Sequence, residues 1–270
     1  MYDFEYVRPA SLADAAARMA ASPEARLMSG GMTLIPTLKQ RLAQPTHVVH
    51  VGVLDELRGI CRDGDAIAVG AATTHETVAG SAEVVSAIPA LACLAAGIGD
   101  PQVRHMGTIG GSIANNDPAA DYPAAVLGLG ATVLTDRRSI AADDFFRGLF
   151  DTALEEGEII RGVRFPVPLA AGYTKFPHPA TGYAMAGVFI ARTPGGVRVA
   201  VTGAGNGVFR WTQAEAALGA AFSPQALRGV ALEADRFSAD IHGSRDYRMQ
   251  LARVMAERTL GMMHTGAKAG

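Results

Sequence analysis

Two cysteines, Cys61 and Cys93, are all that the 270-residue chain carries. An iron–sulfur cluster of the usual kind needs four thiolates, so the chain alone cannot hold one. The seven histidines show no zinc-site spacing with these cysteines. Both thiols are expected to be reduced and structural. Charge is also scarce. Asp, Glu, Lys and Arg make up 19% of the residues, against about 25% in an average protein. The net charge of −2 excludes the basic field that draws in nucleic acid. No apolar run approaches the roughly 18 residues that suggest a membrane span. The longest, Val84 to Ile98, is broken by Ser86, Pro89 and Gly97. The opening Met1-Tyr-Asp-Phe-Glu-Tyr has neither the basic nor the apolar region of a signal peptide. A soluble, cytoplasmic protein is the expectation. Aromatic residues are few, 6% with one tryptophan.

Glycine is abundant, 31 of 270, where about 7% is usual. Such a surplus points to tight turns and to loops that approach a ligand closely. Ser11 to Ala21 reads as a helix, with Ser11 and Asp14 as a weak capping box. Arg26-Leu-Met is a short strand running into Ser29-Gly30-Gly31. From Thr33 onward Leu34, Ile35, Leu38 and Leu42 follow helical spacing until Pro45. His47–Val53 and Leu57–Ala72 read as strands, with a hairpin turn at Asp63-Gly64-Asp65. Val84–Ile98 reads as mostly helix and Val103–Asn116 as loop and short strand. A helix is expected over Asp121–Leu129 and strands over Ala131–Thr135 and Ile159–Phe165. After Pro166 and Pro168, three antiparallel strands are expected at Gly172–Phe176, Met185–Arg192 and Gly196–Ala204. Helices are then expected at Thr212–Leu218, Pro224–Glu233 and Tyr247–Leu260. The order of elements predicts an α+β fold in two parts, 1–170 and 171–270.

Two glycine segments stand out: Ser29-Gly30-Gly31-Met32-Thr33, and Gly107-Thr108-Ile109-Gly110-Gly111-Ser112. Paired glycines let backbone N–H groups approach an anion, and neighbouring hydroxyls can donate to phosphate oxygens. Neither segment is G-x-G-x-x-G, and neither ends in G-K-[ST]. Either could be a mere turn, but both read as strand-adjacent loops of one type, and a pyrophosphate could lie between them. Asp121 is either a helix cap or a carboxylate that accepts from a sugar hydroxyl. Arg104 and His105 either balance phosphate charge or are solvated, and Asp143-Asp144 reads as a solvated turn.

These residues carry a resemblance. Ser29-Gly-Gly-Met-Thr-Leu-Ile-Pro resembles the A-G-G-[HQ]-S-L-[IL]-P segment of the FAD-binding medium subunits of molybdenum hydroxylases, the xanthine and aerobic carbon monoxide dehydrogenase family. Thr108-Ile-Gly-Gly-Ser, followed by Asp117-Pro-Ala-Ala-Asp-Tyr-Pro, is similar to that family's second motif. Val103-Arg104 and Gly107 match its lead-in, and Tyr173-Thr-Lys175-Phe with Gly182-Tyr183-Ala looks like its flavin-facing strand pair. Tyr247-Arg248 is similar to the Y-R of its C-terminal domain.

The resemblance implies a fold of the PCMH/VAO type. A two-part FAD-binding domain, about 1–55 and 56–170, would precede a small domain at 171–270. It implies that Leu27, Ser29, Gly30, Gly31, Met32, Thr33 and Leu34 cradle the FAD pyrophosphate. Thr108, Ile109, Gly110, Gly111 and Ser112 would hold its other side, and Asp121 would bind a sugar hydroxyl. Ile98 and Ile160 would pack on the adenine or the ring system, Lys175 would lie near the cofactor, and Tyr183 would lie against the isoalloxazine. FAD would be non-covalent, and no residue is assigned as catalytic or as a metal ligand. Molybdopterin and two [2Fe–2S] clusters are expected on a large and a small partner subunit, in a dimer of heterotrimers. Electrons would pass through FAD to an external acceptor. A free-standing FAD oxidoreductase and a flavin-free binding module are the alternatives. The sequence departs from the pattern at Met32, at Thr33, and at His178-Pro-Ala-Thr, which lacks the basic run often found there.

Overall fold

Short β-strands sort into three main sheets in the computed structural model, which describes residues 1–265. The final stretch of the expected second part, 266–270, lies outside the described residues. The first sheet is parallel. β1 (Glu5–Val7) and β2 (Arg26–Met28) flank β3 (His47–His50), giving the order β1-β3-β2. Helix α1 (Leu12–Ala21) joins β1 to β2, and the Ser11 hydroxyl caps it by accepting from the Asp14 N–H at 3.1 Å. Helix α2 (Leu34–Lys39) joins β2 to β3. It is shorter than its apolar spacing suggests, because the chain turns left-handed at Arg41, ahead of Pro45.

The second sheet is antiparallel. A hairpin of β4 (Ile60–Asp63) and β5 (Ala66–Gly70) turns at Gly64-Asp65, as expected. The chain then leaves the sheet for a helical layer: α3 (His75–Gly80), α4 (Ala82–Ala87), α5 (Pro89–Ala96), α6 (Pro101–Met106), α7 (Ile109–Asn115) and α8 (Tyr122–Leu129). It returns through β6 (Thr132–Thr135), β7 (Ser139–Ala141), the single turn α9 (Ala142–Phe145), and a small hairpin of β8 (Phe146–Gly148) and β9 (Asp151–Thr152). Strand β10 (Ile160–Pro166) then inserts between β5 and β6.

The third sheet is built from β11 (Ala170–Pro177), β12 (Ala184–Thr193), β13 (Gly196–Thr202) and β14 (Phe209–Arg210), all antiparallel. Helices α10 (Thr212–Ala220) and α11 (Arg245–Thr265) cover one face. Helices α5 and α8 cover the other. Strand β12 is therefore buried from Ala184 to Ala191 and reads as continuous apolar sequence rather than as an alternation. Helix α8 is buried along its whole length. A Cβ on Gly128 would come within 2.8 Å of the Phe189 ring, so glycine is what lets α8 lie against the sheet.

Several expectations need correction. Val103–Asn116 is not loop and strand but the helices α6 and α7. Asp100 caps the first by accepting from the Val103 N–H at 2.8 Å, with Pro101 in its first turn. Thr108 caps the second. Local capping chemistry overrides the low helix propensity of the glycines. The stretch Val84–Ile98 is mostly helix as expected, but split in two, because Pro89 starts a new helix. The helix expected at Pro224–Glu233 shrinks to one 3₁₀ turn at Pro224–Leu227, since Arg228 is extended and Gly229 is left-handed. The strand expected at His47–Val53 ends at His50 in a 3₁₀ turn. Asp143 is not merely solvated, for it pairs with Arg198 at 2.8 Å and Arg210 at 3.3 Å.

Arg248 pins the last helix to the third sheet. It is buried, donates to the carbonyls of Met185 at 3.1 Å and Gly203 at 2.9 Å, and meets Asp240 at 2.6 Å. Arg248→Ala strands these carbonyls and is expected to destabilise the fold by about 3–5 kcal/mol. Urea unfolding followed by tryptophan fluorescence checks this, and a midpoint within error of the parent would refute it.

Candidate functional site

A cleft of about 960 Å³ runs between the first sheet, the α6–α7 joint, the end of β10 and the rim loop before β12. Fifteen of the expected site residues line it: Leu27, Ser29, Gly30, Gly31, Met32, Thr33, Leu34, Ile98, Thr108, Gly110, Gly111, Ser112, Asp121, Ile160 and Tyr183. Two do not. Ile109 is fully buried in the hydrophobic core beneath α7. Lys175 stands behind the wall, where its ammonium meets Asp121.

The first glycine segment connects β2 to α2. No hydrogen bond within the described residues uses the N–H groups of Gly30, Gly31, Met32, Thr33 or Leu34. Gly31 is left-handed with φ +72, which turns the chain at low cost only in glycine. Gly30 is required for a different reason: a Cβ there would fall 1.8 Å from the Met106 carbonyl oxygen. The segment is thereby pressed against the α6–α7 joint, and the Thr108 hydroxyl donates to the Ser29 hydroxyl at 3.0 Å.

The second glycine segment differs from the expectation of a second strand-adjacent loop with free amides. Apart from that of Thr108, its N–H groups are already used. Ile109 donates to Thr73 at 3.1 Å, Gly110 to Ala71 at 2.9 Å and Ser112 to the Thr108 carbonyl at 3.0 Å. Gly111 donates to the Thr108 hydroxyl at 3.3 Å. Gly110 is a packing glycine, since a Cβ would lie 2.6 Å from the Ala71 side chain. What this side offers the cleft is hydroxyls and a smooth wall, not an amide cradle.

Positive charge is scarce here. Arg26 is the single Lys or Arg among the described residues lining the cleft. Arg104 is occupied by Glu76 at 3.3 Å and the Ile98 carbonyl at 3.1 Å, and His105 by the Pro101 carbonyl at 2.8 Å. Neither lines the cleft. An anion would be met chiefly by backbone dipoles.

Asp121 is buried and makes no side-chain cap bond, which removes the cap reading. Its Oδ1 accepts from the Tyr173 hydroxyl, and its Oδ2 accepts from Lys175 Nζ at 3.0 Å. Burial pushes its carboxyl up, opposed by the Lys175 charge and by both hydrogen bonds. Tyr183 is 52% exposed at the rim. Its loop is closed by the His178 N–H donating to the Tyr183 carbonyl at 2.7 Å, and His178 packs edge-on against His242.

The comparisons fit this geometry. Residues 2–168 match the family described as FAD binding domain in molybdopterin dehydrogenase. The chain belongs to this family. As a member, it is 34% identical to the carbon monoxide dehydrogenase medium chain of Afipia carboxidovorans, over 98% of both chains. It is 34% identical to the nicotine 6-hydroxylase medium subunit of Paenarthrobacter nicotinovorans, over 94% of this chain and 95% of that one. The crystal structure of the Cu,Mo-CO dehydrogenase in its cyanide-inactivated form contains a chain that matches with a TM-score of 0.92. That match has 33% identity and covers 99% of this chain and all of the other. The α+β expectation, the FAD cofactor and the oxidoreductase class therefore hold.

Sequence reasoning missed cleft residues that the FAD-binding domain also brings in, among them Arg26, His75, Asp117 and Glu158. Asp117 opens the Asp-Pro-Ala-Ala-Asp run and was legible there. His75 is buried, and desolvation, with Arg104 adding to it, holds its pKa down to about 4. Glu158 is buried among Arg138, Thr135 and the Glu155 N–H, with Arg138 the main cause that lowers its pKa from the usual 4.5 to about 2. A depressed carboxyl stabilises the fold above about pH 4.5 and loses that contribution as pH falls towards 2. Glu158→Gln should therefore lose less stability than the parent across that interval in urea unfolding. Equal losses would refute the assignment. Gly30→Ala is expected to weaken FAD retention by about tenfold or more, near 1.4 kcal/mol, measured as flavin bound per purified chain. Full flavin content would take the Gly30–Met106 contact out of the binding site.

Proposed function

We propose that the chain is the flavin-carrying medium subunit of a heteromeric molybdenum hydroxylase. On this reading it takes electrons from [2Fe–2S] clusters on a small subunit and delivers them to an external acceptor, while a large subunit carries molybdopterin. The single observation that carries the reading is the cradle at Gly30–Leu34: a run of unpaired backbone N–H groups at the wall of a cleft of about 960 Å³. A diphosphate needs donors without bulk, and a neutral cradle suits a cleft with one cation. The cysteine count supports the division of labour, since Cys61 and Cys93 cannot ligate a cluster of their own. Relatives that are the medium chain of a dehydrogenase and the medium subunit of a hydroxylase support the partnership with other subunits.

FAD, when bound, supplies the chemistry that these side chains lack: uptake of single electrons and release of a pair. The chain's own residues bind and orient. The amides of Gly30 to Leu34 would take the pyrophosphate, with the Ser112 hydroxyl facing them and Thr108 holding the Ser29 hydroxyl beside them. Asp121 would accept from a sugar hydroxyl. Ile98, Ile160 and Leu27 would provide apolar packing, and Tyr183 would exclude water from one ring face by offset stacking. Met32, in place of the His or Gln of the motif it resembles, would contribute its backbone and its bulk. Residues 1–170, in subdomains of about 1–55 and 56–170, would hold the cofactor. Residues from 171 onward would add Tyr183 and the clamp on Asp121. Assembly as a dimer of heterotrimers in the cytoplasm belongs to the same reading.

Heating the purified chain is expected to release a yellow chromophore that chromatography identifies as FAD. FMN would contradict an adenine half of the site. No flavin, even after FAD is added to folded protein, would overturn the proposal. Tyr183→Ala is expected to change the absorption spectrum of bound flavin while sparing the fold, and an unchanged spectrum would place Tyr183 away from the ring.

A further inference from the structure

One cluster reaches the cleft from the third sheet rather than from the glycine segments. Tyr173 and Lys175 alternate on β11 and so project from the same face. Both end on Asp121. Room for the tyrosine comes from Gly187, which sits opposite Lys175 on β12. A Cβ at Gly187 would lie 2.5 Å from the Tyr173 hydroxyl oxygen. Lys175 also donates to the Gly97 carbonyl at 2.8 Å, at the end of α5 and next to Ile98 in the cleft wall. The sheet thus grips a buried carboxylate by both oxygens, in the place where a helix cap would otherwise use it.

We propose that Tyr173 is a positioning residue for flavin binding: with Lys175 it holds the Asp121 carboxylate ionised and fixed at the cleft wall, and so sets the acid limit of FAD affinity. The inference rests on the reading that FAD occupies this cleft. An ionised carboxylate is a strong acceptor for a sugar hydroxyl, whereas a protonated one gives up much of that strength. Desolvation works against ionisation at this depth, so the two donors decide the outcome. The other groups around Asp121 add no positive charge at neutral pH. Tyr122 follows it on α8, Tyr183 lies at the rim with its hydroxyl raised by burial and by Asp117 and Asp121, and His75 packs on Tyr122. His75 stays neutral down to about pH 4.

The sign follows. FAD affinity is greatest above the pKa of Asp121 and falls as pH drops through it. Tyr173→Phe removes a donor to the charged form, raises that pKa and moves the falling limb to higher pH, by about one unit. Affinity on the acid side then drops about tenfold against the parent, while values on the alkaline plateau converge. The test titrates FAD into flavin-stripped full-length chain across the acid to neutral range, following flavin fluorescence, with thermal unfolding as the check on folding. Asp121→Asn is the companion variant: it keeps the shape, binds FAD more weakly at neutral pH and should show no limb.

A limb in Tyr173→Phe that coincides with the parent's, or an affinity reduced by a constant factor at every pH, overturns the inference. So does a parent-like limb in Asp121→Asn, which also serves if Tyr173→Phe fails to fold. Parent chain that takes up no FAD at any pH overturns the flavin reading itself, and is distinct from these results.

Discussion

Gly30 lies so close to the Met106 carbonyl that no side chain fits between them, and the rest of the site depends on that contact. It presses the β2–α2 segment against the joint of two short helices that belong to another layer. The Ser29–Thr108 hydroxyl pair ties the same two pieces. Once they touch, the amides from Gly30 to Leu34 cannot fold back onto their own strand or on the joint, and they face the cleft unpaired. Leaving buried or half-buried amides unmatched costs free energy, which binding of an anion would return. The 3₁₀ turn after β3 closes on the segment from behind: a Cβ on Gly52 would approach both Ser29 and His50 within 3.0 Å.

The two walls of the cleft divide the work unequally. One supplies free amides. The other, α7, has used its amides to join α7 to the segment before α3, and offers hydroxyls. At a third point the wall carries the buried Asp121 carboxylate, and there its charge is balanced locally by Lys175. A cleft built this way would meet an anion without concentrating cations, which agrees with a chain of low charge. The third sheet is then more than a neighbour. Through α8, packed by Gly128 against Phe189, and through the grip of β11 on Asp121, it is coupled to the wall of the cleft.

Much of the fold was legible from periodicity and punctuation. The Ser11 cap, the Gly64-Asp65 hairpin and the three long antiparallel strands each follow from local rules. Two failures at the site share a cause. Gly107 to Ser112 reads as loop because glycine is a poor helix former, yet Thr108 caps it and Ala71 packs on Gly110. Asp121 reads as a cap because it precedes a helix and Pro123, yet partners from β11, distant in sequence, take its carboxylate. In each case a tertiary contact outbids a local preference of about a kilocalorie.

What the sequence determined by itself is the inventory: too few thiols for a cluster, too little charge for nucleic acid, and two glycine segments with an aspartate downstream. Motif order alone also carried the family, because spacing and residue type are properties of the chain. What only the tertiary structure decided is which of those groups remain free. Whether an amide is spent or available depends on what lies opposite it in space. So the two glycine segments, alike in composition, came out as cradle and wall, and Lys175 came out as the partner of Asp121 behind the cleft.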